Sequence, residues 1–168
     1  MQDFIINQES VLQDATLYKH QYLAFTLNKE VYALRITYVK EIIEYTTLTP
    51  VPMVPIFIRG VLNLRGNVLP VIDLAVRLGG PVTPVSKWSC IVIIALGPPE
   101  DQVKMGVLVD TVNDVLRFKE GDLEPPPPFG SHLRNDFIQN IGKLGDRFIT
   151  LLNVEQVLAI KELMVQAN

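Results

Sequence analysis

The chain has 168 residues, 48% of them hydrophobic, which is enough for one domain or for two small lobes that share a boundary. Its 15 basic and 18 acidic residues are interspersed and give a formal net charge of −3, which argues against a duplex nucleic-acid binder with a basic surface. The single cysteine, Cys90, cannot form an intrachain disulfide, so an oxidising compartment is not implied.

The N-terminal part predicts a tail followed by two strands. Residues 1–18 show little pattern, lack the regions of a secretory signal, and are expected to form a flexible tail or an additional short helix. Apolar residues alternate over 22–27, as in a strand with one buried face. A turn at 28–30 leads to a second strand over 31–34. The longest apolar runs are too short to span a bilayer.

A helical turn and a hairpin come next. Ile36, Val39 and Ile43 recur at helical spacing and predict a short helical turn before an extended, proline-containing stretch. Residues 60–74 consist of two apolar segments joined by a polar turn that contains Arg65, and this pattern predicts a β-hairpin.

The middle of the chain predicts a linker between two groups of strands. Residues 73–78 fit one helical turn, which Gly79-Gly80 would end. Residues 81–87 hold two prolines and no bulky aromatic side chain, and they form the clearest linker. Further strands are predicted over 88–96, 103–110 and 112–118.

The C-terminal part predicts a stiff loop, a hairpin and a helix. The prolines at 125–128 favour an extended loop, although a peptide-binding domain could also bind such a run. A hairpin is expected to join 137–144 to 147–152. Asn153 predicts the N-terminal cap of a helix over about 154–166. Many short strands with frequent turns predict a mainly β protein with two small lobes, divided near 81–87.

Residue patterns typical of catalysis are missing from the sequence. His20 and His132 are isolated, and no metal-ligand spacing, phosphate-binding loop or nucleophile elbow occurs. Asp73, Asp110 and Asp114 near strand ends could act as acids or bases, but such aspartates more often bind backbone N–H groups in turns. We therefore expect no enzymatic activity and no cofactor.

Several motifs resemble one family. Gly-Val-Leu-Asn-Leu-Arg-Gly at 60–66 and Pro-Val-Ile-Asp-Leu at 70–74 resemble the CheW family, the coupling proteins of bacterial chemosensory arrays. Tyr38-Val-Lys-Glu-Ile42, the segment 105–112 and the segment 144–149 resemble further motifs of that family, in the same order. The resemblance covers about residues 20–165. It implies two five-stranded SH3-like β-barrel subdomains packed together, with a C-terminal helix, in a CheW-like domain over 19–168.

The resemblance also implies a receptor-binding face. Glu41 and Arg65 each stand in a mostly apolar segment, either as unrelated surface charges or as a facing pair. In the family, this pair lies at the groove that contacts the cytoplasmic tips of methyl-accepting chemoreceptors. Val39 would lie on the same face as Glu41 if the segment is extended, and it is either an anchor for a receptor helix or a core residue.

Two other areas are implied as contacts with the regulatory domain of a CheA-type histidine kinase. One contains Glu30 and Ile36, and the other contains Phe129 after the proline run. Arg35 stands where the family commonly has an acidic residue, and Glu124 stands where some members have a basic one. These departures indicate either selectivity for a cognate kinase or no contact at these positions.

The function implied is that of a non-enzymatic adaptor between chemoreceptors and the kinase. Such a protein would be cytoplasmic and would be recruited to membrane-associated arrays only through the receptors. A coupling protein of a related pilus-motility or surface-sensing pathway is an alternative. A small β-barrel nucleic-acid-binding protein is a further alternative, which the acidic charge and the 8% aromatic content disfavour.

Overall fold

The structure, a computed structural model, describes residues 20–126 and 135–159. It confirms a mainly β protein built from two sheets. The strands are β1 (His20–Leu27), β2 (Glu30–Arg35), β3 (Val39–Glu44), β4 (Ile58–Leu64), β5 (Asn67–Asp73), β6 (Cys90–Leu96), β7 (Val103–Val109), β8 (Thr111–Phe118), β9 (Leu123–Glu124), β10 (Ile138–Leu144) and β11 (Arg147–Leu152). Two short α-helices, α1 (Leu74–Arg77) and α2 (Val154–Val157), accompany them, with 3-10 turns at Ile36–Tyr38, Glu120–Asp122 and Asn135–Phe137.

One sheet has five strands in the order β3-β6-β7-β5-β4, and the other has six in the order β8-β1-β2-β11-β10-β9. The sixth strand arises because the two-residue β9 pairs with β10, which corrects the expectation of five strands in each lobe. Each sheet contains one parallel pair, β5 with β7 and β11 with β2, among otherwise antiparallel neighbours.

The two lobes are interleaved along the chain. Strands β1 and β2 pair with β8 and β11, so the first two strands belong to the same sheet as the last four. The chain changes sheet at the 3-10 turn Ile36–Tyr38 and again at Asp110. Residues 81–87 connect α1 to β6 beside the five-stranded sheet, so the split expected there is wrong. The linker composition instead reflects a loop within one lobe.

Apolar side chains on both faces of the sheets build three clusters. The largest contains Leu23, Phe25, Ile72 and Val92, and it fills the space between the sheets. A second cluster, which contains Leu62, belongs to the five-stranded lobe, and a third belongs to the six-stranded lobe. Residues 23, 25 and 27 share one face of β1 as predicted, and they face the shared core.

A buried carboxylate fixes the loop after α1. Asp73 is fully buried and accepts hydrogen bonds from Arg59 Nη1 at 2.9 Å, from Thr83 N at 3.0 Å and from Thr83 Oγ1 at 2.7 Å. It also caps α1 by accepting from Val76 N at 3.4 Å. The helical turn predicted over 73–78 is thereby confirmed, and the 81–87 loop is tied to its start.

A buried arginine of α1 joins the two lobes. The Arg77 guanidinium lies 5.2 Å from the ring centroid of Phe57 and 4.9 Å from that of Phe137. Its Nε donates to the Val157 carbonyl at 2.7 Å. Cation–aromatic contacts of this kind are strengthened when they are withdrawn from water. Arg77 therefore connects the five-stranded lobe to the C-terminal part of the six-stranded lobe.

The chain ends partly agree with the sequence predictions. Asn153 caps α2, because its Oδ1 accepts from Gln156 N at 3.3 Å. The described helix covers four residues, and the rest of the predicted helix lies outside the described residues, as do the tail 1–18 and part of the proline run. Within residues 20–126 and 135–159, no helix is long and apolar enough to cross a membrane.

Candidate functional site

Glu41 and Arg65 form an ion pair. Arg65 Nη2 donates to Glu41 Oε1 at 2.6 Å, with 71% of the arginine side chain and 25% of the glutamate side chain exposed. Glu41 lies on β3 and Arg65 lies between β4 and β5, and β3 and β4 are the outer strands of the five-stranded sheet. The pair therefore connects the two edges of a curled sheet, and of the two readings left open by the sequence the facing pair is correct.

The turn that carries Arg65 holds it in an unusual backbone conformation. Arg65 and Gly66 both have positive φ, 50° and 86°, as in the tight turns that join antiparallel strands. Asn63 Oδ1 accepts from Gly66 N at 3.1 Å and stabilises the turn. Glycine or asparagine would adopt the first position more easily than arginine does. The presence of an arginine at this position indicates that the role of its side chain outweighs the conformational cost of the turn.

Val39 does not share a face with Glu41. The register between β3 and β6 shifts between Val39 and Glu41, because Val39 pairs with Ile94 and Glu41 pairs with Ile93. This bulge reverses the alternation, so Val39 is 1% exposed in the shared core while Glu41 faces outward. Val39 therefore packs as a core residue, one of the two interpretations that the sequence left open, and it offers almost no surface to a receptor helix.

Other apolar residues lie on the strands that carry the ion pair. Ile43, two residues after Glu41, and Leu64, directly before Arg65, are partly buried against the cluster of the five-stranded lobe. Val68, which pairs with Asn63 on the same hairpin, is 64% exposed. These three are the apolar neighbours that sequence reasoning missed. Leu64 and Val68 lie on the hairpin that the sequence predicted, whereas Ile43 lies on β3 after the bulge.

The residues expected to contact the kinase lie in different environments. Glu30 is exposed at the start of β2 and accepts from Tyr32 Oη at 2.8 Å. Burial, and then the Glu30 carboxylate, raise the pKa of Tyr32 well above its usual value. Ile36 is 4% exposed and packs in the shared core, so it presents little surface for the expected kinase contact. Phe129 lies outside the described residues.

The charged positions divide between the two lobes. The Glu41–Arg65 pair belongs to the five-stranded sheet, whereas Glu30 belongs to the six-stranded sheet. Arg35 is partly buried at the end of β2, and Glu124 is exposed on β9. The chain thus presents two separate charged regions on one compact core.

Little in the described part of the chain is suited to catalysis. No three His, Cys, Asp or Glu side chains among residues 20–126 and 135–159 are grouped to hold a metal ion. Cys90 is buried on β6, and burial raises the pKa of its thiol, which disfavours the thiolate needed for nucleophilic chemistry. Asp73 is occupied as a structural acceptor, and Asp110 accepts from Asn28 N at 2.8 Å in a turn.

Comparisons with known proteins agree on one family. The family model for the CheW-like domain matches residues 21–162. The chain is 32% identical to the chemotaxis protein CheW of Klebsiella aerogenes, over 88% of this chain and 87% of that protein. It is 35% identical to the chemotaxis protein CheW of Bacillus subtilis, over 81% of this chain and 85% of that protein.

A solved structure is similar over nearly its whole length. The scaffolding protein TtCheW from Thermoanaerobacter tengcongensis superimposes with a TM-score of 0.74 at 34% sequence identity. The match covers 84% of this chain and 93% of that one. The range matched by the family model includes the ion pair and, apart from His20 at the start of β1, every strand of the two sheets.

Proposed function

The chain belongs to the CheW-like domain family, a family of scaffold proteins of chemotaxis, and on this premise we propose that it couples transmembrane chemoreceptors to a CheA-type histidine kinase. The coupling is geometric. One face of a rigid particle binds the cytoplasmic tip of a receptor, and another binds the regulatory domain of the kinase. Receptor state can then bias kinase activity, in the cytoplasm and at receptor arrays.

The observation that carries this proposal is the exposed Glu41–Arg65 pair in a strained turn. An exposed ion pair contributes about 0–1 kcal/mol to stability. A positive φ at a residue other than glycine costs an amount of the same order. The net contribution of the ion pair and its turn to the free energy of folding is therefore small, which favours a role in binding. Arg65 presents a planar donor group to a partner, with Ile43, Leu64 and Val68 as apolar neighbours.

We place the kinase contact on the other lobe, at Glu30, with Phe129 as a second candidate. Glu30 is exposed, and it belongs to a different sheet from the ion pair. Separate faces would let one molecule hold both partners at once. Phe129→Ser should weaken kinase association about 5- to 150-fold if the aromatic side chain is a hot spot, without changing receptor affinity. Equal loss for both partners in a calorimetric titration would argue against this assignment.

The receptor face is tested by exchanging its charges. Arg65→Glu should abolish binding to a receptor cytoplasmic fragment, because two carboxylates would then face each other across the sheet edges. Glu41→Arg combined with Arg65→Glu should recover part of the binding through the reversed pair. Asp114→Asn, at an exposed position on β8 of the other sheet, serves as the control. Receptor binding by Arg65→Glu at the wild-type level would contradict the proposal.

The adaptor is also proposed to be catalytically inert. Purified protein should neither hydrolyse ATP nor accept phosphate from the autophosphorylated kinase, and it should change kinase activity only when receptors are present. A radiolabel transfer assay with the three components measures both properties. Phosphate on this chain, or ATP turnover that survives a second purification step, would overturn the non-enzymatic assignment.

A further inference from the structure

A groove at the end of β3 plays no part in the surface described above. It has a volume of about 490 Å³ and is lined by Glu44, Tyr45 and residues 86–89. Trp88, the single tryptophan of the chain, forms part of its wall and is 52% exposed. We call this feature the Trp88 groove. A large aromatic side chain at such a position is typical of a binding surface.

The Trp88 ring is held out by a well-bonded turn. Ser86 N donates to Ser89 Oγ at 2.9 Å, and Trp88 N donates to Ser86 Oγ at 3.1 Å. The Ser89 carbonyl then accepts from Tyr45 N at 3.0 Å, which ties the turn to the end of β3. The backbone that carries the ring is therefore fixed before any partner arrives. Such preorganisation lowers the entropy cost of binding.

A cation already lies on this ring. Lys87 Nζ is 5.0 Å from the centroid of Trp88, within the range of a cation–π contact. At an exposed site this contact is worth about 0.5–1 kcal/mol, and an exposed lysine gives up side-chain freedom to make it. Lys87 is thus a weakly held occupant that a better cation can displace. It marks the ring face as a cation site.

Glu44 supplies the second half of a guanidinium site. Its side chain is exposed at the end of β3, and it forms no ion pair with any residue in the described part of the chain. Although Glu44 and Lys87 line the same groove, their charged atoms lie farther apart than an ion pair allows. The carboxylate therefore remains available. An aromatic face beside a free carboxylate matches a guanidinium, which stacks and donates in a planar fork.

From this geometry we propose that the Trp88 groove binds an arginine side chain presented by a partner protein. The guanidinium replaces Lys87 over the Trp88 ring and donates to Glu44. Arginine fits better than lysine, because a compact ammonium makes one contact at a time and keeps more of its hydration. This inference goes beyond the receptor and kinase contacts, since it uses none of their residues.

Trp88 makes the test direct, because its fluorescence reports on this groove alone. The full chain is titrated with Nα-acetyl-L-arginine amide, and with Nα-acetyl-L-lysine amide as a charge-matched control, at constant ionic strength. Saturable emission changes are expected with both, at a concentration at least about 2-fold lower for arginine. Equal responses to the two compounds would overturn the proposal, because they would show a general salt effect.

Three variants complete the experiment. Lys87→Ala should tighten binding of the arginine compound about 2- to 5-fold, because the competing cation is gone. Glu44→Gln should weaken it about 2- to 5-fold through the lost charge. Glu100→Gln, another exposed acid and one that does not line the groove, should leave it unchanged. Weaker binding by Lys87→Ala, or identical behaviour of Glu44→Gln and Glu100→Gln, would overturn the assignment.

Discussion

Arg65 shows how one residue can be costly for a turn and still be retained at a surface. Its φ of 50° is a conformation that asparagine adopts at lower cost. Its ion pair with Glu41 is largely exposed, so the pair offsets only part of that cost. A substitution at this position should therefore change the free energy of unfolding and the receptor affinity in different directions.

Arg65→Asn should separate the two effects. The free energy of unfolding is expected to stay within about 0.5 kcal/mol of the wild-type value or to rise, because turn strain is relieved as the surface pair is lost. Receptor affinity should fall sharply in the same protein. Urea titration and a receptor pull-down measure the two quantities. A loss of stability above about 1.5 kcal/mol would mean that the pair mainly holds the sheet edges together.

Tyr22 places a hydroxyl group in the apolar interior of the six-stranded lobe. The residue is fully buried in the cluster of the six-stranded lobe, and its ring packs edge-on against Phe118 at a centroid distance of 5.8 Å. Within the described residues, 20–126 and 135–159, its hydroxyl has no hydrogen-bond partner. A buried hydroxyl without a partner opposes folding.

Tyr22→Phe should therefore leave the free energy of unfolding unchanged or raise it by up to about 1 kcal/mol. Tyr22→Ala, which removes the ring as well, should lower it by about 3 kcal/mol or more. Chemical denaturation of the two variants beside the wild type measures both effects. A clear loss of stability in Tyr22→Phe would show that the hydroxyl is bonded in solution.

At the scale of the elements, local patterns predicted most of the strands. The hairpin around Arg65 was visible because a polar turn separates two apolar runs, and the cap of α2 was visible as Asn153 before an apolar run. The bulge before Glu41 was not visible in the sequence, because a single extra residue leaves the apolar pattern of β3 almost unchanged. That one residue decided which of Val39 and Glu41 is available to a partner.

The exchange of strands between the lobes could not be read from local patterns either. Pairing of β2 with β11 joins residues far apart in the sequence, and no turn connects them. The loop 81–87 looked like a domain linker because prolines and small polar residues are typical both of domain linkers and of loops within one domain. Its attachment to Asp73 depends on a side-chain contact between Asp73 and Thr83 that composition does not reveal.

The Asp73 cluster should be important for the stability of the five-stranded lobe. Asp73→Ala removes the cap of α1 and leaves Arg59, which is 23% exposed, without its carboxylate. We expect the free energy of unfolding to fall by about 3 kcal/mol. Asp114→Ala, at an exposed position on β8, should change it by less than about 0.5 kcal/mol. Thermal and urea denaturation would show the contrast, and similar values for the two variants would refute the role of Asp73.

At the scale of the whole molecule, the shared core makes the two lobes one folding unit. Leu23 and Phe25 come from one sheet and Ile72 and Val92 from the other, and all four pack in the same cluster. Arg77 adds a polar connection between the lobes through Phe57, Phe137 and the Val157 carbonyl. Neither lobe can unfold without exposing apolar surface of the other.

Unfolding should accordingly be a single transition. Trp88 lies beside the five-stranded sheet, so its fluorescence follows that lobe, whereas far-ultraviolet circular dichroism follows both. The two signals should give the same urea midpoint, and Arg77→Ala should shift both midpoints downward together. Separate midpoints in the wild-type protein would show that the lobes fold independently.

Because the strands of the two lobes are interleaved along the chain, they find their pairing partners at different times during synthesis on the ribosome. Strands β1 and β2 emerge first, yet Tyr32 and Ala33 cannot meet Thr150 and Leu151 until almost the entire chain has been translated. The five-stranded sheet, whose strands all lie between residues 39 and 109, can pair completely in the meantime. The face of the nascent hairpin that carries Tyr22, Ala24 and Ala33 must wait, because Ile149 and Leu151 of β11 complete its cluster. A chaperone that binds extended apolar segments should therefore engage this hairpin on stalled nascent chains and release it once β11 has emerged.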